Sequence, residues 1–178
     1  MKTGLYRLIA QSALLILSLA ENPFIPWEAG RKLTWDDFKA PPDKRSPNAA
    51  ETSSAIKFDY SYNAGELRFH IVCQFDKNKS WVRVRSDYIL SHEQGHFDIT
   101  EIFARKLNKS VKEYRVGKPG DLTRDLNHIY ENAMHQLHDM QAAYDAETNF
   151  SINTPKQEEW LKKIKTRLEE LETYEPGS

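Results

Sequence analysis

The sequence predicts an α+β fold in which a small antiparallel sheet precedes three helices. Two stretches, 55–62 and 66–75, alternate apolar and polar residues and flank the turn signal Asn63-Ala64-Gly65, as expected for a β-hairpin. Three long segments with helical spacing of apolar residues then fill the second half of the chain. Strands followed by helices, rather than strands alternating with helices, are typical of the α+β class.

The first twenty residues have the features of a secretory signal peptide. Lys2 and Arg7 give a positive start, an apolar run follows over 8–20, and small residues precede a cleavage point before Glu21. The apolar run is short for a transmembrane span, so we expect no stable membrane insertion after cleavage. An uncleaved anchor or a buried N-terminal helix is the alternative. The expected mature chain, 21–178, is a single secreted or periplasmic domain.

Charge and cysteine content limit the possible functions. The 178 residues include 25 basic and 26 acidic side chains, so no net field favours nucleic acid, and we expect no nucleic-acid partner. The single cysteine, Cys73, excludes an intramolecular disulfide and a cysteine zinc knuckle. Cys73 falls in an alternating apolar run, which predicts a buried structural thiol.

The N-terminal half beyond the signal peptide is predicted in three parts. The stretch 22–50 is rich in proline and lacks periodicity, so we expect an irregular arm with a short aromatic anchor at 33–38. The hairpin described above comes next. The short run 81–84 is either a third strand or the approach to the first helix.

Three helices are expected after the strands. The first covers 87–109 and can be capped by Ser86 or Asp87. The second covers 122–148, and the third runs from 154 to about 171, with a proline near its first position. The second helix carries an apolar stripe made of Leu126, Tyr130, Ala133, Leu137, Met140 and Tyr144.

The first predicted helix contains the most informative motif, His92-Glu93-Gln94-Gly95-His96, which reads H-E-x-x-H. Residues four apart lie on one helix face, so His92 and His96 can both reach one zinc ion. Glu93 can then act as the general base that takes a proton from a zinc-bound water. The motif predicts the core of a zinc hydrolase that acts on a peptide or protein substrate.

The third zinc ligand is left open between two carboxylates of the second helix, Glu131 and Asp145. A hydrolytic zinc usually has three protein ligands and an open position. Three histidines share that helix face, but such a polar stripe is more often surface: His128, His135 and His138. Asp98 and Glu101 are turned away from the motif histidines and are expected to orient ligands, bind partners or face solvent. Three tyrosines are candidates to stabilise an oxyanion, or are simply core: Tyr88, Tyr130 and Tyr144.

The chain resembles a group of bacterial proteins regarded as secreted zinc-dependent proteases and formerly treated as a domain of unknown function. The similar segments cover most of the mature chain, and they are 33–40, 50–52, 79–82, 90–101 and 141–148, with Gln157 and Trp160. The resemblance implies a zincin-like metallopeptidase fold with an N-terminal β portion and bound zinc. It favours Asp145 over Glu131 as third ligand.

One position departs from that family's pattern. Many members have a histidine where this chain has Phe150. If such a histidine serves the metal or the reaction, its replacement favours an alternative function, a zinc-stabilised binding or scaffold protein without turnover. A helical domain with an accidental motif is the third hypothesis.

Overall fold

The structure is a computed structural model that describes residues 22–176. The expected signal peptide, residues 1–20, lies outside the described residues. The elements in chain order are β1 (Phe24–Pro26), β2 (Ala50–Glu51), β3 (Ser54–Asn63), β4 (Glu66–Asp76), β5 (Trp81–Val82), α1 (Asp87–Glu113), α2 (Leu122–Thr148) and α3 (Thr154–Glu170). Short 3-10 turns lie at Trp35–Asp37, Pro119–Asp121 and Glu172–Tyr174. Small antiparallel sheets and three helices confirm the expected α+β class.

The predicted hairpin forms the middle of the larger sheet. β3 and β4 pair antiparallel from Ser54↔Phe75 to Asn63↔Glu66, so only two residues connect them. Ala64 and Gly65 both have positive φ, 52° and 84°, as a type I′ hairpin turn requires. Cys73 lies in β4 and is buried, as predicted.

The proline-rich arm contributes two strands that its sequence does not predict. β1 pairs antiparallel with β4, which places Ile25 opposite Phe75 and gives the sheet order β1-β4-β3. β1 is an edge strand that ends at Pro26, a position where the missing N–H does no harm. β2 pairs with β5 as a separate two-stranded ribbon, so the ambiguous run after the hairpin is a strand at its start.

Helix α1 is the central element of the fold. It packs against α2 and α3 on one side and against β3 and β4 on the other. The Ser86 side chain accepts a hydrogen bond from the Ile89 N–H at 3.1 Å and caps its first turn. The helix continues to Glu113 rather than ending at 109, because Val111 is still buried in the core and no helix breaker occurs before Gly117.

The face of α1 turned away from His92 and His96 holds a buried ion pair. The Arg105 guanidinium is 3% exposed and donates to Glu101 at 2.8 Å, to the Leu168 carbonyl at 2.8 Å and to Glu175 at 2.9 Å. Burial raises the pKa of Glu101 to about 7, although Arg105 acts in the opposite direction. These contacts tie α1 to the end of α3 and to the C-terminal segment. Within residues 22–176, no helix is long and apolar enough to cross a membrane.

Candidate metal centre

Two helices bring three side-chain atoms to one point. His92 and His96 lie one turn apart on α1, and Asp145 lies near the end of α2. Asp145 Oδ1 is 3.2 Å from His92 Nε2 and 3.0 Å from His96 Nε2, and the two Nε2 atoms are 3.1 Å apart. Among the described residues, this is the one His/Asp group whose ligand atoms converge closely enough to hold a metal ion.

Gln141, one turn before Asp145 on α2, fixes the orientation of His96. Its Nε2 donates to the His96 carbonyl oxygen at 2.9 Å and to Thr100 Oγ1 at 3.3 Å, so its Oε1 must face the other way. That oxygen contacts His96 Nδ1. Because Oε1 can only accept, Nδ1 carries the hydrogen, and the neutral imidazole directs the lone pair of Nε2 at the convergence point.

The electrostatics of the three atoms favour a positive charge between them. Burial alone would lower the pKa of His96, but the hydrogen bond and charge of Asp145 raise it overall. Burial would raise the pKa of Asp145, yet its hydrogen bonds to the two histidines hold it below the usual range. A carboxylate oxygen facing two imidazole nitrogens favours a cation between them, which can be a proton or a metal ion.

Glu93 lies beside this group with one free carboxylate oxygen. The residue is 4% exposed, and its Oε2 has no hydrogen-bond partner among the described residues. Burial raises the pKa of Glu93, and the charges of His96 and His92 only partly oppose that effect. The Thr52 hydroxyl donates to the Glu93 backbone carbonyl at 3.2 Å and joins α1 to the segment after β2.

Tyr144 supports both histidines from α2. Its ring stacks on His92 with centroids 4.5 Å apart and meets His96 edge-on at 5.0 Å. A Cβ atom added to Gly95 would lie 2.5 Å from the Tyr144 hydroxyl, so this ring fits only against a glycine. Gly95, the fourth residue of the motif, therefore lets α1 and α2 approach each other closely.

A cavity of about 430 Å³ opens over the three converging atoms. It is lined by residues of α1 from Ile89 to Thr100, by residues of α2 from Leu137 to Asp145 and by the chain segment 48–54, which forms a third wall. Phe150 and Ser151, in the turn after α2, also line it. His92, Glu93, His96 and Asp145 all reach this cavity, so a solute has access to them.

The other candidates from the sequence lie elsewhere, with one exception. Glu131 is exposed and fourteen residues before Asp145, about 21 Å away along a helix. His128 and His135 are exposed, as expected of a surface stripe, whereas His138 lines the cavity without joining the three converging atoms. The structure therefore brings Asp145, and not Glu131, to the motif histidines.

Two acidic residues of α1 outside the motif, Asp98 and Glu101, have partners elsewhere in the fold. Asp98 accepts hydrogen bonds from Trp27 Nε1 at 2.7 Å and Gln94 Nε2 at 2.8 Å, and Glu101 pairs with Arg105. Both acids are buried rather than solvated, and their hydrogen bonds do not include the motif histidines.

The tyrosine candidates are not positioned to stabilise an oxyanion, because none of them lines the cavity. Tyr130 donates to the Ile56 carbonyl oxygen, and Tyr144 packs under the histidines and donates to the His92 carbonyl oxygen, both at 3.4 Å. The Tyr88 hydroxyl is buried.

The roles of Gln141 and Thr52 were not predicted from the sequence. The spacing of Gln141 and Asp145, four residues on one helix, was a usable signal for a second side chain aimed at the same site. Thr52 offered no such signal, because its contact with α1 depends on how the arm folds back.

A family model matches residues 31–151, which is more than half of the chain, and its description is "Bacterial protein of unknown function (DUF922)". The match includes α1, α2 and the strands β2 to β5, and thus all residues of the candidate centre. No curated protein and no solved structure matches the chain. The chain therefore belongs to the bacterial family of unknown function DUF922.

Proposed function

We propose that this protein is a zinc-dependent metallopeptidase with a zincin-like fold. The observation that carries the proposal is the convergence of His92 Nε2, His96 Nε2 and Asp145 Oδ1 within 3.2 Å. Two imidazoles and one carboxylate are a ligand set that zinc hydrolases use, with a fourth position left for water. The unpartnered Glu93 carboxylate beside them supplies a base.

The residues present fit a zinc ion. The lone pair of His96 Nε2 faces Asp145 Oδ1, and a cation bound between them would remove the repulsion of the lone pair and the carboxylate. When bound there, zinc would act as a Lewis acid and lower the pKa of a bound water to about 7. His92, His96 and Asp145 would hold the ion, and Gln141 would hold His96 in the tautomer that binding requires.

Glu93 would move the proton during hydrolysis. Burial raises the pKa of its carboxyl, which makes it a stronger base. The ionised form can accept a proton from water, and the neutral form can return it to a leaving amine. Its free Oε2 is the atom that takes the proton. The Thr52 hydroxyl bond to the Glu93 carbonyl keeps this part of α1 against the cavity wall.

The cavity supports a peptide as the substrate. Its length along α1, from Ile89 to Thr100, is about 16 Å at the helical rise per residue, which matches about five residues of extended chain. The wall formed by 48–54 includes β2, which pairs only with β5 among the described strands. An extended peptide can therefore lie along a backbone segment that still has one free edge.

The test is hydrolysis of a peptide pool by zinc-loaded wild type and Glu93→Gln. The variant should keep its zinc and lose activity by about 10²–10⁴-fold, since the amide cannot accept the proton. Glu131→Gln makes the same chemical change on the exposed face of α2 and should be as active as wild type. Full hydrolysis by Glu93→Gln would refute the role of Glu93.

A second candidate function is a zinc-stabilised binding protein without turnover. It is favoured by Phe150, a half-exposed apolar side chain on the cavity wall in place of a polar group. In that case zinc would raise the melting temperature, but no peptide in a diverse pool would be cleaved.

The proposed location, secreted or periplasmic, follows from the first twenty residues. N-terminal sequencing of the mature protein tests it, and the expected first residue is Glu21.

A further inference from the structure

Three consecutive non-glycine residues after α2 adopt left-handed backbone conformations. Asn149, Phe150 and Ser151 have φ values of 48°, 51° and 68°. The first is ordinary, because the Phe150 N–H bonds to the Asp145 carbonyl at 2.9 Å and the Asn149 N–H to that of Ala146 at 3.4 Å, which is a Schellman helix end. That motif needs a left-handed residue only at Asn149. A bulky residue such as Phe150 in this region is an outlier.

Packing within the described residues does not account for the Phe150 side chain. A glycine would adopt the same backbone without strain, and the ring is 52% exposed instead of packed in the core. Strained residues that the fold itself does not require are concentrated at functional sites. The ring is therefore available for a contact outside the folded chain.

The position of Phe150 identifies that contact. It lies five residues after Asp145 and lines the same cavity as His92 and His96, together with the apolar side chain of Ile89 one turn before His92. An apolar group placed here would cover the exposed ring next to the site of hydrolysis.

We propose that Phe150 is a specificity-determining residue that binds a bulky apolar side chain of the substrate peptide beside the bond to be cleaved. The inference rests on the proposed peptidase function and adds a substrate class to it. Leucine, methionine or phenylalanine at that substrate position should be preferred over glycine, serine or a charged residue. Since the backbone of Phe150 is strained and its ring is exposed in the free protein, the fold gives up stability for recognition.

The experiment compares wild type with Phe150→Gly, both zinc-loaded, on matched peptides that differ only in having leucine or serine beside the cleaved bond. Wild type should prefer leucine by at least about 10-fold in kcat/KM, a discrimination within reach of one apolar contact. Phe150→Gly should lose most of that preference and cleave the serine peptide as wild type does. Its melting temperature should equal or exceed that of wild type, because glycine relieves the strain.

Ile152→Gly is the matched control. Ile152 lies in the same turn and is 74% exposed, but it does not line the cavity, so its loss should leave the preference unchanged. The same peptide pairs are also titrated against Glu93→Gln, which measures binding without turnover and should give a similar leucine preference in Kd.

The outcomes separate the two proposals. An unchanged leucine preference in Phe150→Gly, with both peptides cleaved, overturns the role of Phe150 and leaves the peptidase function intact. A fall in melting temperature of several degrees also overturns it, because the ring would then support the fold. Peptides that bind without being cleaved overturn only the hydrolysis, and the binding ratio then decides the role of Phe150. No binding and no cleavage overturns both.

Discussion

The hydroxyl of Tyr144 occupies the space in which any side chain on Gly95 would begin. A Cβ atom on Gly95 would be 2.5 Å from that hydroxyl and 2.9 Å from Cζ of the ring. The same ring stacks on His92 and is followed in sequence by Asp145. The close packing of one glycine and one tyrosine therefore sets how α2 presents its carboxylate to the histidines of α1.

Replacing Gly95 with alanine should destabilise the protein although alanine is the better helix former. Overpacking costs about 1–3 kcal/mol, and the gain in helix propensity offsets about 1 kcal/mol of it. We expect a net loss of up to about 2 kcal/mol in the free energy of unfolding, measured by chemical denaturation. In a Tyr144→Ala background the same change should cost nothing, because the clash is gone. If Gly95→Ala alone is stabilising, the close contact does not exist in solution.

Metal content tests which of two carboxylates, Asp145 or Glu131, is the third zinc ligand. Asp145→Ala should retain well under one zinc per chain after dialysis, because it removes one of three converging atoms. Glu131→Ala should bind as wild type does, because Glu131 is exposed and about 21 Å away along α2. Elemental analysis of both purified variants beside wild type makes the comparison. Equal zinc in all three would remove Asp145 from the site.

Gln141→Ala should weaken zinc binding by about 10–100-fold, the usual effect of losing a partner that orients a histidine ligand. The reason is that His96 Nδ1 loses its acceptor, so the ring is free to rotate or change tautomer. Competition with a chelating dye measures the affinity. Gln136→Ala removes an exposed glutamine from the same helix and should have no effect. A Gln141→Ala protein with wild-type affinity would show that the tautomer is fixed by other means.

The metal-free protein should show a stability contribution from Asp145 and His96 that depends on pH. The folded pKa of Asp145 is lowered, so its contribution is complete above the ordinary value of 3.8 and is lost as the pH falls through the folded pKa. The folded pKa of His96 is raised, so its contribution is complete below 6.5 and is lost as the pH rises through the folded pKa. The contribution of the pair is therefore largest between these two values.

Denaturant titrations of wild type and Asp145→Asn in the presence of a chelator measure this effect. The difference in unfolding free energy between the two proteins should peak between about pH 4 and 6.5, where the wild-type ion pair is complete. A difference that does not change with pH would contradict the pairing. Zinc affinity should follow the opposite trend and increase above pH 6.5, because the metal replaces the proton.

Short-range patterns in the sequence predict helix α2 and the hairpin turn. The bounds of α2 agree with the sequence prediction, and the observed turn at Ala64 and Gly65 lies within the predicted turn 63–65, because turn residues and apolar spacing specify them. The strands β1 and β2 were missed, because two or three residues are too short for periodicity and they form only by pairing with β4 and β5. Their positions depend on distant partners.

The candidate site likewise combines features set by local sequence with features set by distant contacts. The helical spacing placed His92, Glu93 and His96 correctly relative to one another, since one helix turn determines it. The choice between Glu131 and Asp145 needed the contact of α1 with α2, which depends on Gly95 and Tyr144 and which no local pattern contains. The family resemblance favoured Asp145, and the structure places it with the histidines. The burial of Asp98 and Glu101 likewise depends on Trp27 and Arg105, which lie outside the motif.

His96 and Asp145 are 49 residues apart in the chain, on two helices that must dock before their side chains meet. During synthesis the two histidines emerge well before Asp145, so a growing chain contains two of the three converging residues. An unfolded chain contains all three but does not bring them together. The peptidase activity proposed above would therefore appear only in chains whose α1 and α2 have docked. Assembly of the centre from separate helices would in this way keep an unfolded copy from cutting itself or its neighbours.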